Sequence, residues 1–305
     1  MNTVLDLVRR HPLVSFFVLA YALTWPLIPL VSLSPLWGFP ALFGPALAAL
    51  VVVAVADGRA GLKDLLSRVV RWRVGAGWYA VALGLPAILA LAARGLHAAL
   101  GARTSVEFGG LSVLNFVVFV LIVGEELGWR GYAFPKLLAE RSVLAASLIL
   151  GALWGAWHLP TFFVPGAPQY GLPFSAFVLL TMAYSVLFTW VYLHTRGSVL
   201  IATLLHGAIN FSQGLFLGGI DPAREYWLLA ASTVWPPSSW WPQQDRTSPG
   251  CPGRQRRPPS APVYAQRRAP VVPDHSHHQD SPGPIPMLPA PRYRSICLLR
   301  RSRPG

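Results

Sequence analysis

The feature that most constrains this chain is a series of apolar runs, each long enough to cross a bilayer. A transmembrane helix needs about 20 mostly apolar residues. Runs of this kind lie near 13–33, 39–56, 77–93, 111–133, 143–164, 174–193 and 198–219. Only 12% of the residues are charged, whereas soluble domains have about 25%. These runs predict an all-α polytopic membrane protein and exclude a soluble globular domain.

The C-terminal part of the chain has a different composition. A further apolar run begins at Tyr226 and stops at Pro236, so the number of transmembrane helices is predicted to be seven or eight. Beyond it, 235–305 holds 16 of the 29 prolines. Such a composition buries too little apolar area to offset the entropy of ordering. We predict a membrane-embedded body over 1–234 and a Pro/Arg-rich tail over 235–305 that is disordered or the product of a frameshift.

The basic charge of the chain is concentrated in this tail. With 11 Arg and 3 Asp, the tail carries +8 of the formal net charge of +13. The charge therefore gives no reason to expect nucleic acid as a partner. Cys251 and Cys297 also lie in the tail, so the body has neither a disulfide nor a cysteine ligand for a metal.

Basic residues between the predicted spans indicate the orientation. With a cytoplasmic N-terminus, 10 Lys and Arg of the loops lie inside and 3 lie outside. Cytoplasmic loops of membrane proteins carry such an excess. We therefore predict a multi-pass protein of the cell membrane with its N-terminus in the cytoplasm.

A few polar and ionisable side chains interrupt the predicted spans. Ionisable groups are costly in the bilayer and for that reason often mark a functional site. Glu126 and Arg130 are four residues apart and can pair on one helix face, which leaves Glu125 without a partner. A single intramembrane histidine is more often a packing or hydrogen-bonding residue. The combination on three spans indicates a catalytic or transport site: Glu125, Glu126 and Arg130, then His158, then His206 and Asn210.

Helix geometry tests whether these residues can meet. At about 1.5 Å of rise per residue, Glu125 lies about 13 Å from the end of its span and His206 about 12 Å from the end of its own. His158 lies about 22 Å along a helix that begins at Val143. Glu125 and His206 are thus expected at one level, and His158 deeper.

Carboxylate and imidazole groups together fit hydrolysis of a peptide bond. A carboxylate with an imidazole can activate water, and a second imidazole with an amide can stabilise an oxyanion. The motifs G-x-S-x-G and H-E-x-x-H are absent from the sequence, which argues against a serine hydrolase and excludes a standard zincin.

Three segments of the chain resemble motifs of a known family. Glu125 to Arg130 matches E-E-x-x-x-R, Trp154 to His158 matches an aromatic residue followed by His four positions later, and His206 to Asn210 matches H-x-x-x-N. In this order, over about 111–219, they resemble the CPBP family of type II CAAX prenyl endopeptidases and bacteriocin-processing or self-immunity proteins. The aromatic position is usually Phe in that family and is Trp154 here.

The resemblance implies an intramembrane protease with a catalytic cavity among its helices. Glu125 would be the general base that activates water together with His158. His206 and Asn210 would stabilise the oxyanion, and Glu126 and Arg130 would orient the site. The implied partners are a membrane-associated peptide or protein substrate and the lipid bilayer.

Metal dependence is left open by the sequence. Glu125, His158 and His206 are residue types that bind Zn²⁺, but they can also activate water without a metal. The expectation is either no cofactor or Zn²⁺ on these three residues, with metal-free catalysis favoured by the resemblance.

Two other classes of function fit the same residues. One is a transporter or channel in which Glu125, His158 and His206 relay protons or cations. The other is a non-enzymatic bacteriocin-immunity protein, which would still function with Glu125→Gln.

Overall fold

The computed structural model describes residues 2–101 and 113–233, all within one compact unit. Throughout these two ranges the regular elements are helices, in agreement with the predicted all-α class. The α-helices are α1 Asn2–Arg10, α2 Pro12–Thr24, α3 Gly38–Ala41, α4 Gly44–Ala56, α5 Gly58–Val69, α6 Ala76–Ala99, α7 Val113–Leu121, α8 Val123–Glu126, α9 Phe134–Glu140, α10 Val143–Trp157, α11 Phe174–His194, α12 Val199–Phe216 and α13 Pro222–Ser232.

Within the described ranges, five helical stretches are long and apolar enough to cross a membrane. They are Pro12–Ser32, Pro35–Ala56, Ala76–Ala99, Phe174–His194 and Val199–Phe216. Their bounds agree closely with five of the predicted runs, and the prediction of a polytopic membrane protein is confirmed. The first stretch changes from α2 to a 3-10 helix at Trp25, since Pro26 and Pro29 disrupt α-helical hydrogen bonding.

The other two predicted spans differ from simple helices. The run at 111–133 includes a π-helical segment, Leu127–Ala133, after α8, and helix continues through α9 as far as Glu140. The run at 143–164 is α-helical only to Trp157, because Pro160 cannot continue α10, and a 3-10 turn follows over Leu159–Phe162.

Glycines bring the central helices unusually close together. A Cβ on Gly151 of α10 would lie 2.5 Å from the Met182 Cα of α11, and a Cβ on Gly128 would lie 2.7 Å from the Pro45 carbonyl oxygen in α4. Small residues at this spacing allow membrane helices to approach backbone to backbone. The segment with Glu125 is therefore held directly against α4, and α10 directly against α11.

The end of the described chain is a short helix. Helix α13 has 11 residues, which is too short for the predicted eighth span. The predicted tail over 235–305, with both cysteines, lies outside the described residues, and its state stays a prediction.

Candidate functional site

Glu125 and Glu126 are adjacent, yet they serve different neighbours. Both lie in α8, where consecutive side chains point about 100° apart, and they are only 3% and 0% exposed. The π-helical segment begins directly after them at Leu127. Segments of this type are rare and frequent at functional sites. The two carboxylates therefore enter the protein interior on different sides of one helix.

Glu126 is the centre of a buried charged cluster. Its Oε1 accepts one hydrogen bond from Arg130 Nη1 and one from His206 Nδ1, each 2.8 Å long. The Arg130 guanidinium also lies 4.5 Å from the ring centroid of Trp154 and 3.9 Å from that of Phe188. The pair expected from the four-residue spacing is present, and Glu126 also connects α8 to α12 through His206.

Glu125 is held by a tryptophan rather than by an arginine. The indole Nε1 of Trp154 donates a 3.0 Å hydrogen bond to Glu125 Oε2. The backbone carbonyl of the same residue accepts a 2.9 Å hydrogen bond from His158 Nδ1. The ring of Trp154 meets the ring of His206 edge to face, with centroids 5.2 Å apart. Trp154 thus contacts each of the three groups expected to carry the chemistry.

Sequence reasoning had given Trp154 no role beyond an aromatic position in a motif. Two signals could have identified it. It lies one helical turn before His158, and an indole N–H can donate a hydrogen bond to a carboxylate, which a phenyl ring cannot do.

These hydrogen bonds define which ring nitrogen of each histidine is available. His158 Nδ1 faces a carbonyl oxygen and His206 Nδ1 faces a carboxylate oxygen, so both Nδ1 atoms must carry a proton and donate. Nε2 is then the nitrogen left for chemistry in both residues. At His158 it is a lone-pair acceptor while the ring is neutral.

His158 is expected to lie deeper than Glu125 and His206, and Trp154 bridges this difference in depth. Helix α10 does begin at Val143, with Ser142 as its N-cap. Trp154 then lies about 17 Å along it, close to the level of Glu125. His158 is one turn further on, at the C-cap of α10, where it is half-buried against Trp157 and Phe177. His158 reaches the site through the backbone of Trp154.

Asn210 is the predicted site residue that stands apart. It lies one turn after His206 on α12, but it is exposed, whereas His206 is 5% exposed. The structure thus brings together Glu125, Glu126, Arg130, His158 and His206 around Trp154 and places Asn210 outside this buried group.

The predicted zinc ligands do not form a metal-binding geometry. In residues 2–101 and 113–233, no group of three His, Cys, Asp or Glu side chains is arranged to hold a metal ion. Glu125 instead accepts a hydrogen bond from the Trp154 indole, and His206 donates one to Glu126. As arranged, the described residues do not form a zinc site.

Comparison with known proteins agrees with the motif resemblance. Residues 107–212 match the family model of type II CAAX prenyl endopeptidase Rce1-like proteins. The protein named CAAX prenyl protease 2 from Methanococcus maripaludis is 36% identical over 108 residues. That alignment covers 32% of this chain and 40% of the relative. The matched segment contains all three motifs, and residues 107–212 belong to the Rce1-like family of type II CAAX prenyl endopeptidases.

Proposed function

We propose that the chain is a CAAX-type intramembrane endopeptidase that hydrolyses a peptide bond of a membrane-associated peptide. The observation that carries the proposal is the environment of the Glu125 carboxylate. This buried carboxylate accepts a 3.0 Å hydrogen bond from the Trp154 indole, while the neighbouring Glu126 forms the ion pair with Arg130. A positioned carboxylate that has no ion pair among the described residues is suited to accept a proton.

In the proposed reaction Glu125 and His158 activate a water molecule. The water attacks the carbonyl carbon of the scissile peptide bond, and its proton passes to Glu125. The same proton is then delivered to the leaving amine as the carbon–nitrogen bond breaks. The products are a new amine and a new carboxylic acid, which releases its proton to become a carboxylate, and Glu125 returns to its starting state.

Oxyanion stabilisation is assigned to His206 and Asn210. Because Nδ1–H of His206 is bound to Glu126, only an imidazolium has a second N–H, at Nε2, to donate to the oxyanion. The exposed position of Asn210 on α12 is compatible with contact to a peptide that lies along this helix. Glu126 and Arg130 act by holding His206.

The test is cleavage of membrane-anchored peptides by the full chain in nanodiscs, with products identified by mass spectrometry. Glu125→Gln keeps the shape of the side chain and removes the base, and we expect cleavage to be abolished. Glu140→Gln makes the same chemical change at an exposed position of α9 and should leave cleavage unchanged.

A chelator separates the two possible mechanisms. Activity that persists in chelator supports metal-free catalysis by Glu125, whereas loss that Zn²⁺ restores would replace that mechanism with a metal-dependent one. Equal cleavage by folded wild-type and Glu125→Gln protein would overturn the role of Glu125 as the base. Absence of cleavage by the folded wild-type protein would overturn the protease proposal in favour of the transport or immunity function.

A further inference from the structure

A basic cavity lies away from the motif residues, where two loops meet. It has a volume of about 380 Å³ and is lined by Val70, Arg71, Trp72, Arg73 and Arg196. Three of these five residues are arginines and none is acidic. The first four follow α5, and Arg196 lies in the turn between α11 and α12.

The cavity lies at the level where a membrane meets water. Three candidate spans have an end here, since Ala76–Ala99 begins, Phe174–His194 ends and Val199–Phe216 begins within a few residues of the arginines. Aromatic rings typical of membrane interfaces surround this level. The Trp78 ring packs against the rings of Trp190 and His194, with centroids 5.1 Å apart in both pairs.

Two apolar side chains of the cavity point outward. Val70 is 70% exposed and Trp72 is 59% exposed, and the Arg73 guanidinium lies 5.1 Å from the Trp72 ring centroid. An exposed tryptophan beside arginines can contact both the apolar part and the anionic headgroup of an interfacial lipid.

The arginines are held by backbone contacts between the two loops. Arg71 Nη1 donates to the Arg196 carbonyl, Arg196 Nη2 donates to the Arg73 carbonyl, and Ser198 Oγ donates to the Arg71 carbonyl at 2.7 Å. The contacts donated by Arg71 and Arg196 each occupy one N–H of a guanidinium that has five. The loops are therefore fixed relative to each other while the cavity keeps N–H donors.

Arg196 occupies a backbone conformation in which glycine is favoured. Its φ is 56°, and it is the one non-glycine residue with positive φ in the described part of the chain. Such a conformation is unfavourable for a residue with a Cβ. An arginine here contributes its charge to the cavity at the expense of backbone stability.

The charge of the cavity is not neutralised by the acidic residue of the preceding helix. Asp64 of α5 forms its ion pair with Arg68, at 2.7 Å. Three guanidinium groups thus surround one open cavity at the membrane surface. Guanidinium groups bind phosphate oxygens with paired N–H donors.

We propose that this cavity is a binding site for a phosphate group, as carried by an anionic phospholipid headgroup at the membrane surface. The site is distinct from the Glu125 cluster, and the proposal does not depend on protease activity. The same chemistry would accept a free phosphate, so the test must distinguish the two sources.

The experiment measures lipid binding to the detergent-purified full chain by native mass spectrometry. The probes are a short-chain phosphatidylglycerol, the matching phosphatidylcholine and inorganic phosphate as a competitor. Arg196→Gly removes one guanidinium and suits the positive φ, and Arg73→Gln removes a second. Arg141→Gln is the matched control, because Arg141 is exposed and outside the cavity.

We expect Arg196→Gly and Arg73→Gln each to weaken phosphatidylglycerol binding about fivefold, from the usual contribution of one arginine near an anionic headgroup. Arg141→Gln should leave it unchanged. If inorganic phosphate binds with the same arginine dependence and lipid does not, the site is supported with a soluble phosphate as ligand. Equal effects of all three substitutions, or no effect of any, in folded protein would overturn the site.

Discussion

The hydrogen bond from the Trp154 indole to Glu125 gives the sharpest prediction for the proposed protease. Trp154→Phe keeps an aromatic ring in contact with Arg130 and His206 but removes the N–H that lies 3.0 Å from Glu125 Oε2. Hydrogen bonds to charged groups contribute about 1.5 to 3 kcal/mol. If this hydrogen bond positions the base, kcat/KM should fall by about 10- to 150-fold.

A neighbouring tryptophan provides the matched control. The Trp157 ring also packs against His158, with centroids 4.7 Å apart, but its Nε1 is buried without a hydrogen-bond partner among the described residues. Trp157→Phe removes the same atoms without removing a hydrogen bond. We expect it to retain kcat/KM within about twofold, because the cost of a hydrogen bond to a charge does not apply.

The assay is cleavage of a membrane-anchored peptide by both variants at matched folding, judged by thermal unfolding in nanodiscs. The effect of Trp154→Phe should fall on kcat, since substrate binding does not require the base to be oriented. Equal kcat/KM for Trp154→Phe and Trp157→Phe would refute a positioning role for the indole.

Three further predictions concern stability, measured by thermal unfolding of the purified chain in nanodiscs. Burial raises the pKa of Glu225, which lies outside the candidate spans, to about 7, so the folded state binds an extra proton and stability falls as pH rises from about 4.5 to 7. Glu225→Gln should therefore add about 1 to 3 kcal/mol to the free energy of unfolding at pH 8 and nothing at pH 4. An equal effect at both pH values would contradict this. Gly151→Ala should lower the melting temperature because its Cβ meets backbone of α11 at 2.5 Å, whereas Gly84→Ala in α6, with nothing within 4 Å, should not. Arg130→Met should lower the free energy of unfolding by about 3 to 5 kcal/mol, because it leaves Glu126 without its ion pair. The double variant with Glu126→Gln should recover part of this loss, and additive effects of the two substitutions would show that the pair is not coupled.

The sequence alone determined the features that depend on helix geometry and on the bilayer. Apolar runs predicted the spans because a membrane requires about 20 apolar residues in one helix. The Glu126–Arg130 contact was predictable because residues four apart on a helix always lie close together. The family was predictable from three short motifs in a fixed order, and the comparison over residues 107–212 confirms it.

The tertiary structure decided every contact between helices. Nothing in the local sequence states that Glu126 bonds His206, 80 positions later, or that Trp154 rather than His158 reaches Glu125. The π-helical segment after Glu126 and the meeting of Arg71 and Arg73 with Arg196 likewise depend on how neighbouring elements pack. Helix periodicity fixes which residues share a face, but packing alone fixes which faces meet.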